Sequence, residues 1–469
     1  MPDSAHPISE TARGHISDSR FHGHMYATEF SRKVFGDTSR LQRWLDVEAA
    51  LAASQADVGT LPREIADAIG QAASLERLDL ERVAAEIRHT GHSLMALIVA
   101  LQHACEDDAG QFVHYGATTQ DIQDTAQALE MRDCLDEAER LLLSISRRLV
   151  PLGREHIATV MTGRTHAQPA LPITFGLKVG SWLDELQRAH QRMRQVRSTA
   201  LVVQLFGGVG SMAAFGESAD SLVNRFAERL GLGAPKMAWH ASRDRVMDYV
   251  TTMAMLAATC ARIADEIRTL SRPELGELVI GWHFGKIGSS TMPHKRNPEE
   301  CEQIVVLARL AAAQVPVALQ GMVVEHERDS RELRTEWSSV ADVSHYSLTA
   351  LSILDDVLAD LDVDSDAMAS NAADTAADLA TEQLMLLLVR HLGKQSAYEV
   401  VYEAAQAAKS NGRSLREELL LSERNRLSAE EIDAALDPAG YIGRAPEIAG
   451  EMIGQADAWL EALAAEEAR

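Results

Sequence analysis

The segment between Gly288 and Pro298 has the residue types and spacing best suited to chemistry on a small anion. Ser289 and Ser290 supply two hydroxyl groups, and Lys295 supplies a cation a few positions later. Serine is a poor base unless nearby positive charge stabilises its alkoxide. We therefore interpret this segment as a candidate reaction site.

The end of the segment has the pattern of a helix start. We expect Asn297 at the N-cap, Pro298 at the first helical position and Glu300 at the capping-box position. The unpaired N–H groups of a helix start favour an anion, and Gly285 and Gly288 would let the preceding loop move. The alternative is that Asn297 only caps the helix and that the neighbouring cations are solvated.

Three further polar segments interrupt stretches of helix-forming residues, and polar loops between rigid helices often carry function. They are residues 163–169 with His166, residues 114–121, and residues 89–93 with His92. Each has a plain structural alternative, namely a satisfied histidine or a threonine N-cap. We expect no metal at residues 89–93, because neither a His-Glu-x-x-His pattern nor a cysteine partner completes a ligand set.

Residues 208–213 imitate the GxGxxA fingerprint of dinucleotide binding. That fingerprint requires a strand before it and a parallel sheet around it. Because the preceding apolar run continues a helical pattern, we reject this interpretation and assign the glycines to a turn or to close helix packing.

Composition narrows the class of protein. The chain has 469 residues, 45 of them basic and 69 acidic, which gives a formal net charge of −24. This charge argues against binding to nucleic acid or to an anionic membrane, although a small anionic substrate can still meet a locally basic pocket. The four cysteines form no CxxC pair, and we see neither a signal peptide nor a membrane-spanning stretch. We expect a soluble cytoplasmic protein.

Long stretches without glycine or proline must position the polar segments. They are residues 117–150, 181–206, 236–272 and 322–392. Strong helix formers dominate them, and aromatic residues make up only 5% of the chain, which gives strands little support. We therefore predict an all-α fold with a long central helix bundle. The predicted domains are an N-terminal helical domain at 1–113, the bundle at 114–360 and a C-terminal helical domain at 361–469.

Residues 288–298 match the signature GSSxMPxKxNP at every fixed position, and on this ground the chain resembles the fumarase/aspartase superfamily. The segments GRTHAQ at 163–168 and HYGATTQDIQDTA at 114–126 agree in order and spacing. Within the superfamily the chain is similar to the branch of adenylosuccinate lyase and 3-carboxy-cis,cis-muconate cycloisomerase. The segments closer to the cycloisomerase are residues 204–208, 325–328 and 436–441.

The resemblance implies a homotetramer with a large shared helix core and with active sites that draw on three subunits. It also implies a small anionic dicarboxylate substrate, fumarate as the usual product, and no organic cofactor. Carried over by position, Ser289 is the base, His166 lies in the acid-side region, and Lys295 and Asn297 bind a substrate carboxylate. The other implied substrate-binding residues are Thr118, Thr119, Gln120, Thr165, His92, Ser290, Met292, Arg20 and Gln204.

The physical reason for this set is the charge that develops during β-elimination. Removing a C–H proton next to a carboxylate produces a doubly charged aci-form, which Lys295, Asn297 and backbone N–H groups would stabilise. Departure of the leaving group requires a proton donor, which a histidine supplies near neutral pH. Two choices stay open from the residues alone: His166 or His92 as the acid, and Ser289 or Ser290 as the base.

Departures from the family patterns bear on the substrate. Residues 243–246 read Arg-Asp-Arg-Val where adenylosuccinate lyases have Arg-Asp-Arg-His, and residues 329–334 replace their nucleotide-holding segment. The chain keeps His166 where bacterial cycloisomerases often have tryptophan, which favours elimination. We predict a lyase that cleaves a C–N bond of a succinyl-type substrate and releases fumarate. The alternatives are 3-carboxy-cis,cis-muconate cycloisomerase, adenylosuccinate lyase, a nitrosuccinate lyase that releases nitrous acid, and a non-enzymatic protein of the same fold.

Overall fold

The computed structural model describes residues 14–467. With 70% of the chain helical and very little sheet, it confirms the all-α prediction. The helices are α1 Glu29–Phe35, α2 Asp37–Asp57, α3 Arg63–Ala72, α4 Leu80–Thr90, α5 Met95–Ala104, α6 Thr119–Glu155, α7 Phe175–Ala200, α8 Ala219–Leu230, α9 Asp244–Leu270, α10 Glu299–Gln320, α11 Ser330–Ala359, α12 Ser365–Asp374, α13 Ala376–Leu379, α14 Thr381–Leu392, α15 Lys394–Asn411, α16 Leu415–Leu421, α17 Ala429–Ala435 and α18 Ala445–Glu467.

Long helices form where glycine and proline are scarce. Helix α6 has 37 residues, α11 has 30, α9 has 27 and α7 has 26. Helix α7 ends at Ala200, so the prediction of continuous helix up to Phe206 is wrong. Residues 201–206 are buried but form no helix, because their backbone and the Gln204 side chain bind the buried polar groups of α6 described below.

Two small antiparallel sheets accompany the helices. Strand β1, Val160–Thr165, pairs with β2, Gln168–Thr174, and strand β3, Leu278–Val279, pairs with β4, Asp362–Val363. The pair β1–β2 is a hairpin that contains the GRTHAQ motif. We expected a loop between helices there, so the hairpin is a correction to the local prediction.

The chain groups into two compact units, each made of three stretches. In the described range, the first unit holds residues 14–142, 189–261 and 303–353, and the second holds residues 143–188, 262–302 and 354–467. The three consecutive domains expected from the sequence do not coincide with these units and stay a prediction.

Each unit has its own apolar core. In the first unit the largest fully buried side chains include Trp239, Tyr249 and Phe226, and in the second Phe175 and Trp182 pack edge to face at 6.1 Å. The helices α14 to α17 of the second unit enclose a smaller core. Its members include Leu384, Leu388, Val400, Leu419 and Ile432.

Candidate active site

The hydroxyl of Ser289 lies between two backbone donors. Its Oγ accepts hydrogen bonds from the N–H groups of Met292 at 3.0 Å and Thr291 at 3.3 Å. Both donors belong to the loop between β3 and α10, and Ser289 is only partly exposed. Because N–H donors stabilise negative charge on oxygen, this geometry suits a serine that gives up its proton.

Asn297 closes this loop rather than capping the helix. Its Nδ2 donates to the carbonyl of Gly288 at 2.5 Å, and α10 begins at Glu299. The predicted N-cap at Asn297 and first helical position at Pro298 are therefore wrong. The predicted capping box is wrong as well, because the Glu300 carboxylate instead pairs with the ammonium group of Lys286.

The loop leaves little room at Gly288. A Cβ atom there would lie 2.2 Å from the carbonyl oxygen of Lys295 and 2.7 Å from the ring of Trp282. Any side chain would force the two ends of the loop apart. Glycine is required at position 288 because the backbone of the loop approaches it closely. The loop mobility that we expected from this glycine is not needed to explain it.

Lys295 is an exposed cation without a carboxylate partner in the described part of the chain. The neighbouring cations are engaged elsewhere: Lys286 and Arg296 lie over the Trp282 ring, at 4.8 and 5.7 Å from its centroid. Lys295 thus remains available for an anion near the start of α10. The expected binding residues Ser290 and Met292 are also exposed on this loop.

His166 lies at the tip of the β1–β2 hairpin. The turn residues His166 and Ala167 both have positive φ, at 52° and 61°, which is the pattern of a type I′ turn. Such a conformation costs a residue other than glycine about 1 kcal/mol or more, so strand pairing must impose it. His166 and the neighbouring Thr165 are exposed, and His166 makes no side-chain hydrogen bond that the described residues show.

A buried ion pair supports this hairpin. Arg164 donates to both carboxylate oxygens of Glu277, at 2.6 and 3.0 Å, and Glu277 is fully buried. Asn371 donates a further hydrogen bond to Glu277 at 2.9 Å. Our sequence reasoning missed Glu277 and Asn371, because neither belongs to a motif. Arg164 stood inside the GRTHAQ motif, but its partner could not be identified from spacing.

The residues of the HYGATTQ and His92 segments meet in the first unit, where they line a cleft of about 620 Å³. Of the predicted site residues, the cleft gathers His92, Thr118, Thr119 and Gln120. Two arginines that the sequence analysis did not select, Arg328 and Arg334, also line it. The hydroxyl of Thr118 accepts a hydrogen bond from Arg328 Nη1 at 2.5 Å.

Hydrogen bonds determine the tautomer of His92. Its Nδ1 accepts from the backbone N–H groups of Met95 at 3.1 Å and Leu94 at 3.3 Å, at the start of α5. An acceptor nitrogen carries no proton, so the proton of the neutral ring is on Nε2. His92 can therefore donate a hydrogen bond through Nε2 without losing its contacts to the helix start.

Asp121 positions the edge of the cleft. This fully buried carboxylate accepts from the backbone N–H groups of Thr118 at 3.1 Å, Phe206 at 3.1 Å and Gly207 at 2.9 Å, and it contacts His240 Nε2 at 2.9 Å. It thereby joins the start of α6 to the non-helical segment that follows α7. The motif contains Asp121, but its partners lie far away in sequence.

A second buried network lies one helical turn further along α6. Arg243 binds Asp124 at 2.9 and 3.0 Å and Glu336 at 2.8 Å. Burial would lower the pKa of Arg243, but the two carboxylates outweigh it and raise that pKa above its usual range. Burial raises the pKa of Glu336, although Arg243 opposes this. Gln120 joins the network, donating to Asp124 at 3.0 Å.

Two further predicted binding residues lie outside the cleft lining. Gln204 is fully buried. Its side-chain oxygen accepts a hydrogen bond from the backbone N–H of Trp239 at 3.1 Å, and its Nε2 donates to Asp124 at 3.3 Å. Arg20 is exposed on the segment before α1. The structure thus gives Gln204 a role in packing, and contact of either residue with a ligand stays a prediction.

The predicted residues fall into three groups. The cleft belongs to the first unit, whereas the His166 turn and the Ser289 loop belong to the second. Across residues 14–467, no group of three or more His, Cys, Asp or Glu side chains is arranged to hold a metal ion.

Comparison with known proteins gives two family matches. Residues 25–316 match a family described as lyase, and residues 379–452 match the family described as adenylosuccinate lyase C-terminus. The chain is 36% identical over 447 residues to N-acetyl-S-(2-succino)cysteine lyase of Dickeya dadantii, covering 94% of this chain and 98% of that enzyme. It is 34% identical over 433 residues to adenylosuccinate lyase of Methanocaldococcus jannaschii, covering 91% and 94%.

A solved structure is similar to this chain over nearly its whole length. The 3-carboxy-cis,cis-muconate lactonizing enzyme of Pseudomonas putida superimposes with a TM-score of 0.84 at 32% identity. The match covers 92% of this chain and 98% of that enzyme.

Proposed function

Because this chain belongs to the fumarase/aspartase superfamily of lyases, we propose that it catalyses β-elimination from a succinyl-type substrate and releases fumarate. The observation that carries the proposal is the position of Ser289 Oγ between two backbone donors, on a loop that also bears the unpaired Lys295.

In the proposed reaction Ser289, as the alkoxide, removes a proton from C3 of a 2-substituted succinate. The N–H groups of Thr291 and Met292 stabilise that alkoxide before the proton is taken. Charge then moves into the adjacent carboxylate, and Lys295 stabilises the resulting aci-form. Collapse of the aci-form creates the double bond of fumarate and breaks the bond to the leaving group. These steps balance without an organic cofactor or a metal.

We assign protonation of the leaving group to His166 rather than to His92. As an imidazolium, His92 would carry a proton on Nδ1 and lose its two hydrogen bonds to the start of α5. The neutral ring offers a fixed Nε2–H, which suits binding better than proton transfer. His166 has no such commitment and is exposed at its turn.

The leaving atom is the finer part of the proposal. The sequence predicts cleavage of a C–N bond, and similarity to the Dickeya dadantii enzyme, named for a substrate joined through sulfur, supports a C–S bond as well. We propose a succinate substituted at C2 through nitrogen or sulfur. The retained His166 favours elimination over lactonisation, which needs no external leaving group.

We also propose a cytoplasmic homotetramer in which the cleft, the hairpin turn and the Ser289 loop of one active site come from different copies. Helix α10 supports self-association, because it is apolar yet leaves Val306 and Val317 each 38% exposed and Leu319 53% exposed. By length and composition α10 is the one described helix that could cross a membrane. A helix core shared between copies explains the same apolar surface.

The function is tested by following fumarate absorbance with a panel of four substrates. They are the thioether of succinate with N-acetylcysteine, adenylosuccinate, nitrosuccinate and 3-carboxy-cis,cis-muconate. We expect fumarate from at least one of the first three, and loss of about 100-fold or more in kcat for Ser289→Ala. Ser290→Ala removes the neighbouring hydroxyl, which we expect to contact the substrate but not to take its proton, so its kcat should fall much less than that of Ser289→Ala.

One result would reject the proposed function, and another would change the assigned base. Consumption of the muconate without fumarate from any other compound would favour the cycloisomerase. Full activity of Ser289→Ala with loss of activity in Ser290→Ala would move the base to the second hydroxyl.

A further inference from the structure

The cleft of the first unit differs in charge from the rest of the molecule. The chain has a net charge of −24, yet neither aspartate nor glutamate is among the residues that line this cleft. Two arginines line it, Arg328 and Arg334. A locally cationic cleft in an acidic protein selects anionic ligands, because the surrounding negative surface repels them everywhere else.

Both guanidinium groups are free of carboxylates. Within the part of the chain that the structure describes, Arg328 and Arg334 form no ion pair, and Arg328 donates only to the neutral hydroxyl of Thr118. Their neighbour Arg331 behaves differently, because Asp329 and Glu325 neutralise it. Two unpaired arginines in one cleft are suited to bind a planar anion such as a carboxylate.

The size of the cleft indicates what that anion belongs to. At about 620 Å³ it falls within the range of pockets that hold ligands much larger than a four-carbon acid. A succinyl carboxylate already has expected partners in Lys295 and Asn297, on the Ser289 loop rather than in this cleft. The ring of Trp337 and the buried side chain of Leu333 provide an apolar wall beside the arginines.

We infer that Arg328 and Arg334 form a subsite for a carboxylate on the leaving group. The inference rests on the proposed function and narrows its substrates to succinates whose leaving group is itself a carboxylic acid, such as an acylated amino acid attached through sulfur or nitrogen. During elimination the C2–S or C2–N bond breaks, the leaving atom takes its proton from the general acid, and the carboxylate stays bound to the arginines throughout.

The experiment compares two substrates that differ in one charge. They are the succinate thioether of N-acetylcysteine and the same thioether with the cysteine carboxylate converted to its amide. We expect kcat/KM to be at least tenfold higher for the acid. In Arg334→Gln this preference should fall to about twofold or less, and in Arg328→Gln it should fall as well. Arg331→Gln is the matched control, since it removes an arginine of the same segment that is already neutralised, and it should keep the wild-type preference.

A second measurement does not depend on turnover. Calorimetric titration with N-acetylcysteine and with its amide reports the subsite directly, and only the acid should show binding that Arg334→Gln weakens. Equal kcat/KM for acid and amide in the wild type, with normal release of fumarate, would overturn the subsite and leave the proposed function intact. Arginine-dependent binding of N-acetylcysteine without fumarate from any succinate would support the subsite and reject the proposed function. Efficient turnover of adenylosuccinate alone would overturn the carboxylate assignment, because the arginines would then face a phosphate.

Discussion

Arg164 and Glu277 form a bidentate, buried ion pair that joins the β1–β2 hairpin to the segment leading into the Ser289 loop. Arg164 stands two residues before His166, and Glu277 immediately precedes β3. One ion pair therefore supports, within the second unit, both polypeptide segments to which we assign proton transfer. Neither residue need touch the substrate, so both are positioning residues.

Replacement of Glu277 by glutamine should impair catalysis through position rather than chemistry. Breaking a fully buried ion pair costs about 3–5 kcal/mol. Arg164 keeps 18% of its side chain exposed, so its unpaired charge should cost less than that. We expect Glu277→Gln to lower kcat by about tenfold or more with little change in KM, because the His166 turn loses its support. Glu274→Gln is the matched control on the exposed part of the same segment.

A double-mutant cycle separates this role from general loss of stability. If the pair acts as a unit, the double variant Arg164→Gln/Glu277→Gln should lose less activity than the two single variants together, when each loss is expressed as the logarithm of kcat. Additive losses would show that the two side chains position the turn independently.

Sharing of active sites between copies predicts complementation. Ser289→Ala and His166→Ala should each be inactive as homo-oligomers, because each removes one proton-transfer group from every site. If these groups reach one site from different copies, mixed oligomers formed by joint refolding contain some sites with both groups intact. We expect partial recovery of fumarate release in the mixture, and light scattering should report a tetramer. Absence of recovery in verified mixed oligomers would place both groups of a site in one copy.

Substitution of Gly288 should disrupt the loop that carries the base. In Gly288→Ala the new methyl group would lie too close to the Lys295 carbonyl and the Trp282 ring, so the loop must open. We expect a loss of kcat of about 100-fold or more, similar to removal of a catalytic donor. The free energy of unfolding should change much less than kcat, since the loop is largely exposed. Near wild-type kcat would mean that the loop adopts another conformation in the active enzyme.

The stability of the first unit should depend on pH through His345. Burial, together with the nearby cations His15, Arg32 and Arg40, lowers the pKa of this histidine from 6.5 to about 4. Because the folded state favours the neutral ring, the stabilisation is fully present above pH 6.5 and is lost as the pH falls toward 4. The loss is on the order of 3 kcal/mol. Denaturant titrations between pH 7 and 4 measure it.

His345→Asn provides the control for this pH dependence. Asparagine does not titrate and can keep the hydrogen bond that His345 Nδ1 makes to Ser31 Oγ at 2.8 Å. Its unfolding free energy should therefore fall less steeply between pH 7 and 4. An unchanged slope would assign the acid sensitivity to other groups.

Local sequence was sufficient to predict the long helix α6 and to identify the reactive segments. The absence of glycine and proline over residues 117–150 predicted α6, because helix hydrogen bonds join residues only four apart. The GSSxMPxKxNP segment was recognised from contiguous residues, and it does form the loop before α10. The exact helix start was predicted one residue too early, at Pro298 instead of Glu299, because the Asn297 amide has a competing acceptor in the Gly288 carbonyl.

Tertiary structure decided everything that depends on distant partners. The type I′ turn at His166 and Ala167 contains no glycine or asparagine from which it could have been predicted. The pairing of β1 with β2 imposes its positive φ angles. Arg164 meets Glu277 across 113 positions of sequence, and Arg328 meets Thr118 across 210. The sequence by itself therefore determined which side chains are present and which form helices, since those interactions are short in range. Which charges are neutralised, which remain free in the cleft and how the His166 turn is supported follow only from contacts made when the chain folds.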